Sequence, residues 1–533
     1  MAITEAPSAA PAAARVHALR DLPAHEIARL IASGQLSAAE AVERFITRLT
    51  VVNDWLNAVA VELFDSARKA AEGVDKAVAR GEKLGPLAGL PVTIKECFDL
   101  AGTASTFGLP SRRDLLELKD DPYVAALRAA GAIPIAKTNV PQLLIFTESD
   151  NPLYGRTNNP WDLERSCGGS SGGEAALIAA GASPLGLGND IGGSLRIPAA
   201  FCGITSIRPT AGRTPDHCGH GLPVGQRGIV AQVGPMARRV DDLTLALGIL
   251  DRARNPSLDP GPELGDPADV EPSTLRFATF TDDGEFPVAP AARRAVAEAA
   301  QMLTAAGAKR VEWQMPALRR VSDLFFACLS ADRGEAFKRL LQGNRVDPRI
   351  RSLLLTARMP PWLRRFAAAG LSTIGQRRSA TLVRRFASGT VDDYWQTVEA
   401  IGNWRRDFLR SLQTSDGPID LILCPAFAVP AQRHGASLLM PLPGAYALLA
   451  SVTGFPAGIV PVTRVRAGEE SDRARGRDQI EEVARESERD SAGLPITVQV
   501  IARPWCDHVA LAAMAWIEAE ARKQPDYPAR PPL

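Results

Sequence analysis

Residues 167–198 read CGGSSGGEAALIAAGASPLGLGNDIGGSLRIP. Two glycine-flanked serine sites bracket this stretch, with Ser170 and Ser194 separated by 24 positions. Between them lie a glycine-rich loop at 168–173, an apolar helix through Ala182, and a short strand, SPLGLGN. Loop, helix and strand in alternation is α/β grammar, and chemistry is expected where strands hand over to helices. Glycines at such loops let backbone N–H groups come close to a ligand. The second site, Asp190-Ile191-Gly192-Gly193-Ser194, follows a strand and opens a helix. N–H groups there lack helix acceptors and can converge on one oxygen, as an oxyanion hole requires. A plain glycine turn is the purely structural alternative.

Moving outward, GPLAGLPVTIKE (85–96) reads as a buried strand, DDPYVAALRAAGA (120–132) as a helix and IPIAKTN (133–139) as another strand. Nearer the N-terminus an amphipathic helix runs from Ala24 to Ser33 and stops at Gly34. A second begins with the capping box Ser37 and Glu40 and puts Val42, Phe45, Ile46 and Leu49 on one face. GLPITVQVIA (493–502) is a late strand. Residues 1–15, rich in Ala and Pro, are expected to be a disordered tail, and 16–528 to form one domain.

The 533 residues are 46% hydrophobic with a formal charge of +1. That is enough apolar material for a large core, and the near balance of charge argues against a dedicated nucleic-acid binder. The first residues lack the apolar core of a secretory signal, and no run of about 18 apolar residues could span a membrane. The seven cysteines include no CxxC pair, and HExxH is absent, so neither a disulfide framework nor a metal site is suggested. A reduced cytoplasmic protein is the expectation.

Gly168–Gly172 also fits G-x-S-x-G, the nucleophile elbow of α/β-hydrolases, whose mechanism needs a downstream acid and histidine. The downstream histidines, His217, His220, His434 and His508, sit in no suggestive context. A lysine can replace histidine as the base if it is neutral. Lys95 ends the apolar strand Leu90–Ile94, where burial disfavours its charge. Titrating near pH 8 instead of about 10.4 corresponds to roughly 3 kcal/mol, which desolvation can supply. Lys137, in the next strand, is an equally visible competitor, and an ordinary ion pair would explain either lysine.

GGSSGGEAAL followed by DIGGSLRIP resembles the amidase signature family, and within it the fatty acid amide hydrolases and their bacterial relatives. The resemblance extends through KECFDLAG (95–102), NVPQ (139–142), NPLYGRTNNPW (151–161), VGPMAR (233–238), FPAGIVPVT (455–463) and GLPITVQVIARPW (493–505). It implies an α/β fold with a large, mixed, twisted sheet surrounded by helices. It also implies amide hydrolysis by a Ser-cisSer-Lys triad, without metal or cofactor. Lys95 matches the catalytic lysine, Ser170 the bridging serine with a cis peptide bond to Ser171, and Ser194 the nucleophile. The amides of Ile191, Gly192, Gly193 and Ser194 match the oxyanion hole, and Ser171, Asp190 and Arg196 the supporting shell. Leu143, Leu144, Ile145 and Phe146 fall where the family lines its acyl channel. The expected substrate is a hydrophobic N-acyl amide or anilide. A carbamate or ester hydrolase with the same triad is the alternative, and a glutaminase-type subunit of a tRNA amidotransferase a third reading.

Residues 351–388 carry eight arginines and no acidic residue, with Leu363, Phe366, Gly370 and Ile374 on one helical face. This predicts a basic amphipathic helix, serving either peripheral membrane contact or packing at a homodimer interface. Residues 466–490 are dense in charge and are expected to be a solvated loop or helical insertion. A lysine base carries a kinetic signature. If Lys95 must be neutral to accept a proton, kcat/KM rises with pH through its titration in the free enzyme, and Lys95→Ala loses that limb. A profile flat from about pH 5 to 10, with chemistry limiting the rate, would contradict the assignment.

Overall fold

Val92 and Ile94 are β-branched, flank Thr93, and leave nothing of the segment in contact with water, so Pro91–Lys95 folds as an interior strand. It sits within an eleven-stranded mixed sheet of the computed structural model, which describes residues 19–215, 225–316, 318–387 and 389–533. The sheet strands are β1 Val59–Glu62, β2 Pro91–Lys95, β3 Ile133–Thr138, β4 Leu185–Asp190, β5 Thr205–Arg208 and β6 Gln232–Ala237. They continue with β7 Arg276–Thr279, β8 Lys309–Arg310, β9 Leu421–Cys424, β10 Ala457–Arg464 and β11 Pro495–Ala502. Their spatial order is β1-β3-β2-β4-β6-β5-β10-β11-β9-β7-β8. β2 runs parallel to both β3 and β4, pairing Lys95 with Thr138 and Ile94 with Leu187. The carboxyl ends of three strands therefore meet at one edge, where α/β sheets place their ligand sites.

The helix after the first serine site, Gly172–Ala179, is buried at every residue and packs across β2, β3 and β4. It ends three residues before the predicted Ala182. β4 can pass under its start because two of its residues have no side chain. A Cβ on Gly188 would stand 2.8 Å from Ser171 Oγ, and one on Gly186 would stand 2.1 Å from Glu174 Oε2. The sequence LGLGN is thus a strand that lets a helix terminus sit directly on its backbone.

The N-terminal helices form as expected, Ala24–Ala32 and Ala38–Leu56, with Ser37 accepting a hydrogen bond from Glu40 N–H and Val42, Phe45, Ile46 and Leu49 buried. The predicted tail at 1–15 lies outside the described residues.

One expectation needs correction. Residues 351–388 are spread over three helices, Pro348–Arg358, Pro361–Thr373 and Arg377–Arg384. Pro361 opens the second, since proline suits a first turn but not an interior, and Gly375, at φ 88°, turns the chain before the third. The charged stretch 466–490 is largely exposed and carries a helical insertion, one face of which is buried. Its helix Gln479–Glu488 buries Ile480, Ala484 and Glu488. Arg473 compensates that buried carboxylate at 2.9 Å, bonds Glu481 at 2.7 Å, and lies over the Phe286 ring at 4.7 Å. Its charges are met from inside the stretch and from outside it, Arg485 pairing with Glu482 while Glu469 pairs with Arg294 and Glu481 with Arg378.

Candidate active site

Lys95, at the end of β2, is completely buried, and its Nζ lies 2.7 Å from Ser170 Oγ and 2.6 Å from Asn189 Oδ1. Asn189 is the penultimate residue of β4, and sequence reasoning overlooked it. Its only signal was its place immediately before Asp190. Lys137, the competing lysine, is adjacent on β3 but directed elsewhere. Its Nζ donates to Ala104 O at 2.6 Å and lies 3.3 Å from both Thr103 Oγ1 and Ser105 Oγ, which fastens the 103–105 loop. Burial pushes its ammonium below the usual lysine range, with Glu96 acting in the opposite direction. Geometry, not burial, separates the two lysines.

Ser170 carries the non-proline cis bond, but on its other side from the expected one: the bond joins Gly169 to Ser170, not Ser170 to Ser171. The two serine loops are joined through backbone, with Ser171 N–H donating to Ser194 O at 3.1 Å. Ser171 Oγ is buried without a hydrogen-bond partner among the described residues.

The second loop is organised by Asp190. Its Oδ1 accepts from Gly193 N–H at 2.7 Å and its Oδ2 from Leu195 N–H at 3.1 Å. Arg196 completes the arrangement, donating to both oxygens at 3.0 Å. Burial alone would raise the carboxyl pKa. The charge and hydrogen bonds of Arg196, with Arg208 behind it and the Gly193 amide, bring it instead to about 2. Arg196 also donates to Ala447 O at 2.5 Å, Gln499 Oε1 at 2.8 Å and Ser451 Oγ at 3.0 Å. One guanidinium thus ties the serine loop to the helix Ala445–Thr453 and to β11. The Gly193 amide, expected in the oxyanion hole, is committed to Asp190. The N–H groups of Ile191, Gly192 and Ser194 have no acceptor among the described residues.

Ser194, Ile191 and Gly192 face an apolar cavity of about 230 Å³, walled by Leu144, Ile145 and Phe146 on one side and by Phe325, Leu329 and Phe337 on another. Leu143, expected in the same wall, does not line it. It is packed into the core at φ 55°. Leu353, Leu354 and Ala357 of the helix Pro348–Arg358 reach the cavity from above. That helix is latched to the wall by Arg349, which bonds Glu148 at 3.0 Å, Asp150 at 3.1 Å and Asp347 at 2.6 Å, and lies 5.2 Å from the Phe146 ring. The nucleophile-elbow alternative finds no support: His434 bonds Leu163 O, His508 packs against Gly265, and His217 and His220 lie outside the described residues.

A buried amine held on one hydroxyl, with unpaired amides and a second hydroxyl at the floor of an apolar cavity, is the equipment of an acyl-transfer hydrolase. Residues 40–511 match the family model described as Amidase, and the chain belongs to the amidase signature family, a family of amide-hydrolysing enzymes. It is 34% identical over 515 residues to fatty-acid amide hydrolase 1 of Sus scrofa, covering 93% of this chain and 85% of that one. Its identity to indoleacetamide hydrolase of Bradyrhizobium diazoefficiens is 41% over 302 residues, covering 56% and 57%. A solved fatty acid amide hydrolase superposes with a TM-score of 0.80 at 25% identity, over 95% of this chain and 86% of that one.

The Asp190–Arg196 pair yields a stability prediction. Arg196→Met leaves the buried carboxylate with only the more distant Arg208, at 3.9 Å, so chemical denaturation should show a loss of about 3–5 kcal/mol. A loss below about 1 kcal/mol would show that the pair does not hold the loop.

Proposed function

We propose that the protein hydrolyses the amide bond of hydrophobic N-acyl amides or anilides through an acyl-enzyme on Ser194. The observation that carries this reading is the Lys95 amine, fully buried and 2.7 Å from Ser170 Oγ, beside an apolar cavity onto which Ser194 opens. Lys95, when neutral, accepts the Ser170 proton while Ser170 takes that of Ser194 as its oxygen attacks the carbonyl. No hydrogen bond joins the two serine hydroxyls in the free enzyme, and catalytic contacts of this kind tighten when substrate binds. The tetrahedral oxyanion is received by the amides of Ile191, Gly192 and Ser194, with Gly193 and Asp190 setting their direction. Ser170 returns the proton to the departing amine, and water releases the acyl group by the same route.

The similarity to fatty-acid amide hydrolase over 93% of the chain supports a free-standing amidase over an amidotransferase subunit. Carbamates and esters can enter the same acyl-enzyme, and a panel of acyl anilides, fatty amides, carbamates and esters read by product release separates these preferences. On the best substrate, Ser194→Ala should lower kcat by about 10⁶-fold while the fold is kept, the scale found when a serine nucleophile is removed. Near-normal turnover would remove Ser194 from the mechanism.

Peripheral membrane contact belongs to the same proposal, carried by apolar side chains more than by arginines. Trp362 is 68% exposed and Phe366 78%, with Leu363 and Ile374 also on the surface, all within residues 361–374 beside the helix that roofs the cavity. Several arginines of the segment are already engaged: Arg364 donates to Ala387 O, Arg378 pairs with Glu481, and Arg385 with Glu285 and Asp323. Arg351, Arg365, Arg377 and Arg384 remain exposed, each contributing about 1 kcal/mol near an anionic surface. Trp362→Ser with Phe366→Ser should abolish co-sedimentation with anionic vesicles, while Arg365→Glu should weaken it in a salt-dependent way. Equal sedimentation of wild type and the double variant, or none by either, would leave 361–374 as a protein-packing surface.

A further inference from the structure

Glu174 is the one acidic residue of the serine loops that the proposed mechanism does not use. It lies in the first turn of the helix Gly172–Ala179, three residues beyond Ser171, and is completely buried. Its Oε2 is 2.5 Å from Thr93 Oγ1 on β2, and its Oε1 accepts from Thr138 Oγ1 on β3 at 2.9 Å. Thr93 is two positions before Lys95, and the Lys95 amine is the charged group facing Glu174. The carboxyl therefore bridges the helix that carries the serine loop and the strand that carries the lysine.

The hydrogen bonds around it have a definite proton count. Glu174 Oε2 meets Thr93 Oγ1 at 2.5 Å, Thr93 Oγ1 meets Ser183 Oγ at 3.0 Å, and Ser183 Oγ meets Leu185 O at 2.8 Å. A carbonyl oxygen brings no proton, and each hydroxyl brings one. Two hydroxyls cannot supply three bonds in line. If Ser183 donates to Leu185 O and Thr93 donates to Ser183, the bond between Thr93 and Glu174 must be donated by the carboxyl. An ionised Glu174 would leave one of these buried contacts without a hydrogen.

We infer that Glu174 is a neutral carboxylic acid in the working enzyme and acts in that form as a positioning residue, fastening the Ser170 loop to β2 beside Lys95 without placing a negative charge there. The inference rests on reading Lys95 as the base. A carboxylate at this place would favour the ammonium form of Lys95, the form that cannot accept a proton. A neutral acid gives the same mechanical bridge without that effect. Burial acts in the same sense, raising the carboxyl pKa to about 8 against the opposing influences of Thr93, Thr138 and Lys95. Gly186 is part of the arrangement, since a Cβ there would occupy the place of Glu174 Oε2.

The full chain tests this in two independent ways. Infrared difference spectra between wild type and Glu174→Gln, recorded at about pH 6, should show a protonated-carboxyl C=O band in the wild type that the variant lacks. Contributions from Asp283 and Glu518, whose buried carboxyls are also raised, to about 6 and about 7, cancel in the difference. On a short soluble acyl anilide, Glu174→Gln should keep kcat close to wild type, because a carboxamide is neutral and donates to Thr93 as the acid does. Glu174→Ala should lose about 10²-fold in kcat with KM little changed, the size expected when a reacting group is misplaced by about 1 Å. Absence of the band overturns the neutral acid, and equal losses in Gln and Ala variants overturn it as well. Full activity in Glu174→Ala overturns the positioning role. If the Ala variant does not fold, the band and the Gln variant still decide. The band does not depend on Lys95, so failure of the lysine assignment, seen as an active Lys95→Ala, would be distinguishable.

Discussion

No part of the Asp190 side chain reaches water, so its charge has to be compensated inside the protein, and the way this is done shapes the whole site. Arg196 brings a planar fork that bonds both carboxylate oxygens and still has donors for three acceptors on other elements. The two amides that Asp190 accepts, Gly193 and Leu195, bracket Ser194. With its neighbours on both sides fixed to a single carboxylate, the nucleophile candidate has little freedom left. A buried pair of this kind is seldom a large net source of stability, since desolvation offsets much of the attraction. What it provides here is a single geometry for a loop rich in glycine, which would otherwise have many.

The sheet supplies the second constraint. Because β2, β3 and β4 are parallel, their ends present Lys95, Thr138 and Asp190 at one edge, under the start of the helix Gly172–Ala179. Glycines at 186 and 188 let that start rest on β4, bringing Ser170 to within 2.7 Å of an amine that has no contact with solvent. Several polar groups are packed here out of reach of solvent, and such networks keep their geometry only when nearly every donor has an acceptor. Lys95, Lys137, Glu174 and Asp190 each meet that condition through different partners, which is why four ionisable groups coexist in one small interior region.

Above the sheet edge the walls change character. The cavity beside Ser194 is built from Leu, Ile, Phe and Met side chains, and its roof is a helix held to the wall by Arg349 and its three carboxylates. The polar groups of the serine loops and the apolar walls thus meet at Ser194. Exposed aromatic residues on the neighbouring helix Pro361–Thr373 face away from this interior. They give the surface next to the roof an apolar character that soluble helices rarely show.

Much of this was legible in the chain itself, because local rules govern it. Alternating apolar strands and glycine-rich turns marked the α/β core, Ser37 and Glu40 marked a helix start, and the spaced serine motifs marked the site through their resemblance to one family. Local pattern could not decide between Lys95 and Lys137, which occupy similar apolar strands; the resemblance pointed to Lys95, and the paths of loop 103–105 and of Ser170 give the two amines their different partners. Nor could it find Asn189, which acquires its role from a lysine 94 positions away in the chain. The commitment of Gly193 to Asp190, the placing of Leu143 inside the core and the division of 351–388 into three helices likewise escaped it. Those outcomes depend on distances between segments remote in sequence, and on which hydrogen bonds remain available once those segments are packed. Composition and spacing carry residue type and local periodicity. The directions of an amine, an amide and a guanidinium are set only when the strands and helices that bear them close on one another.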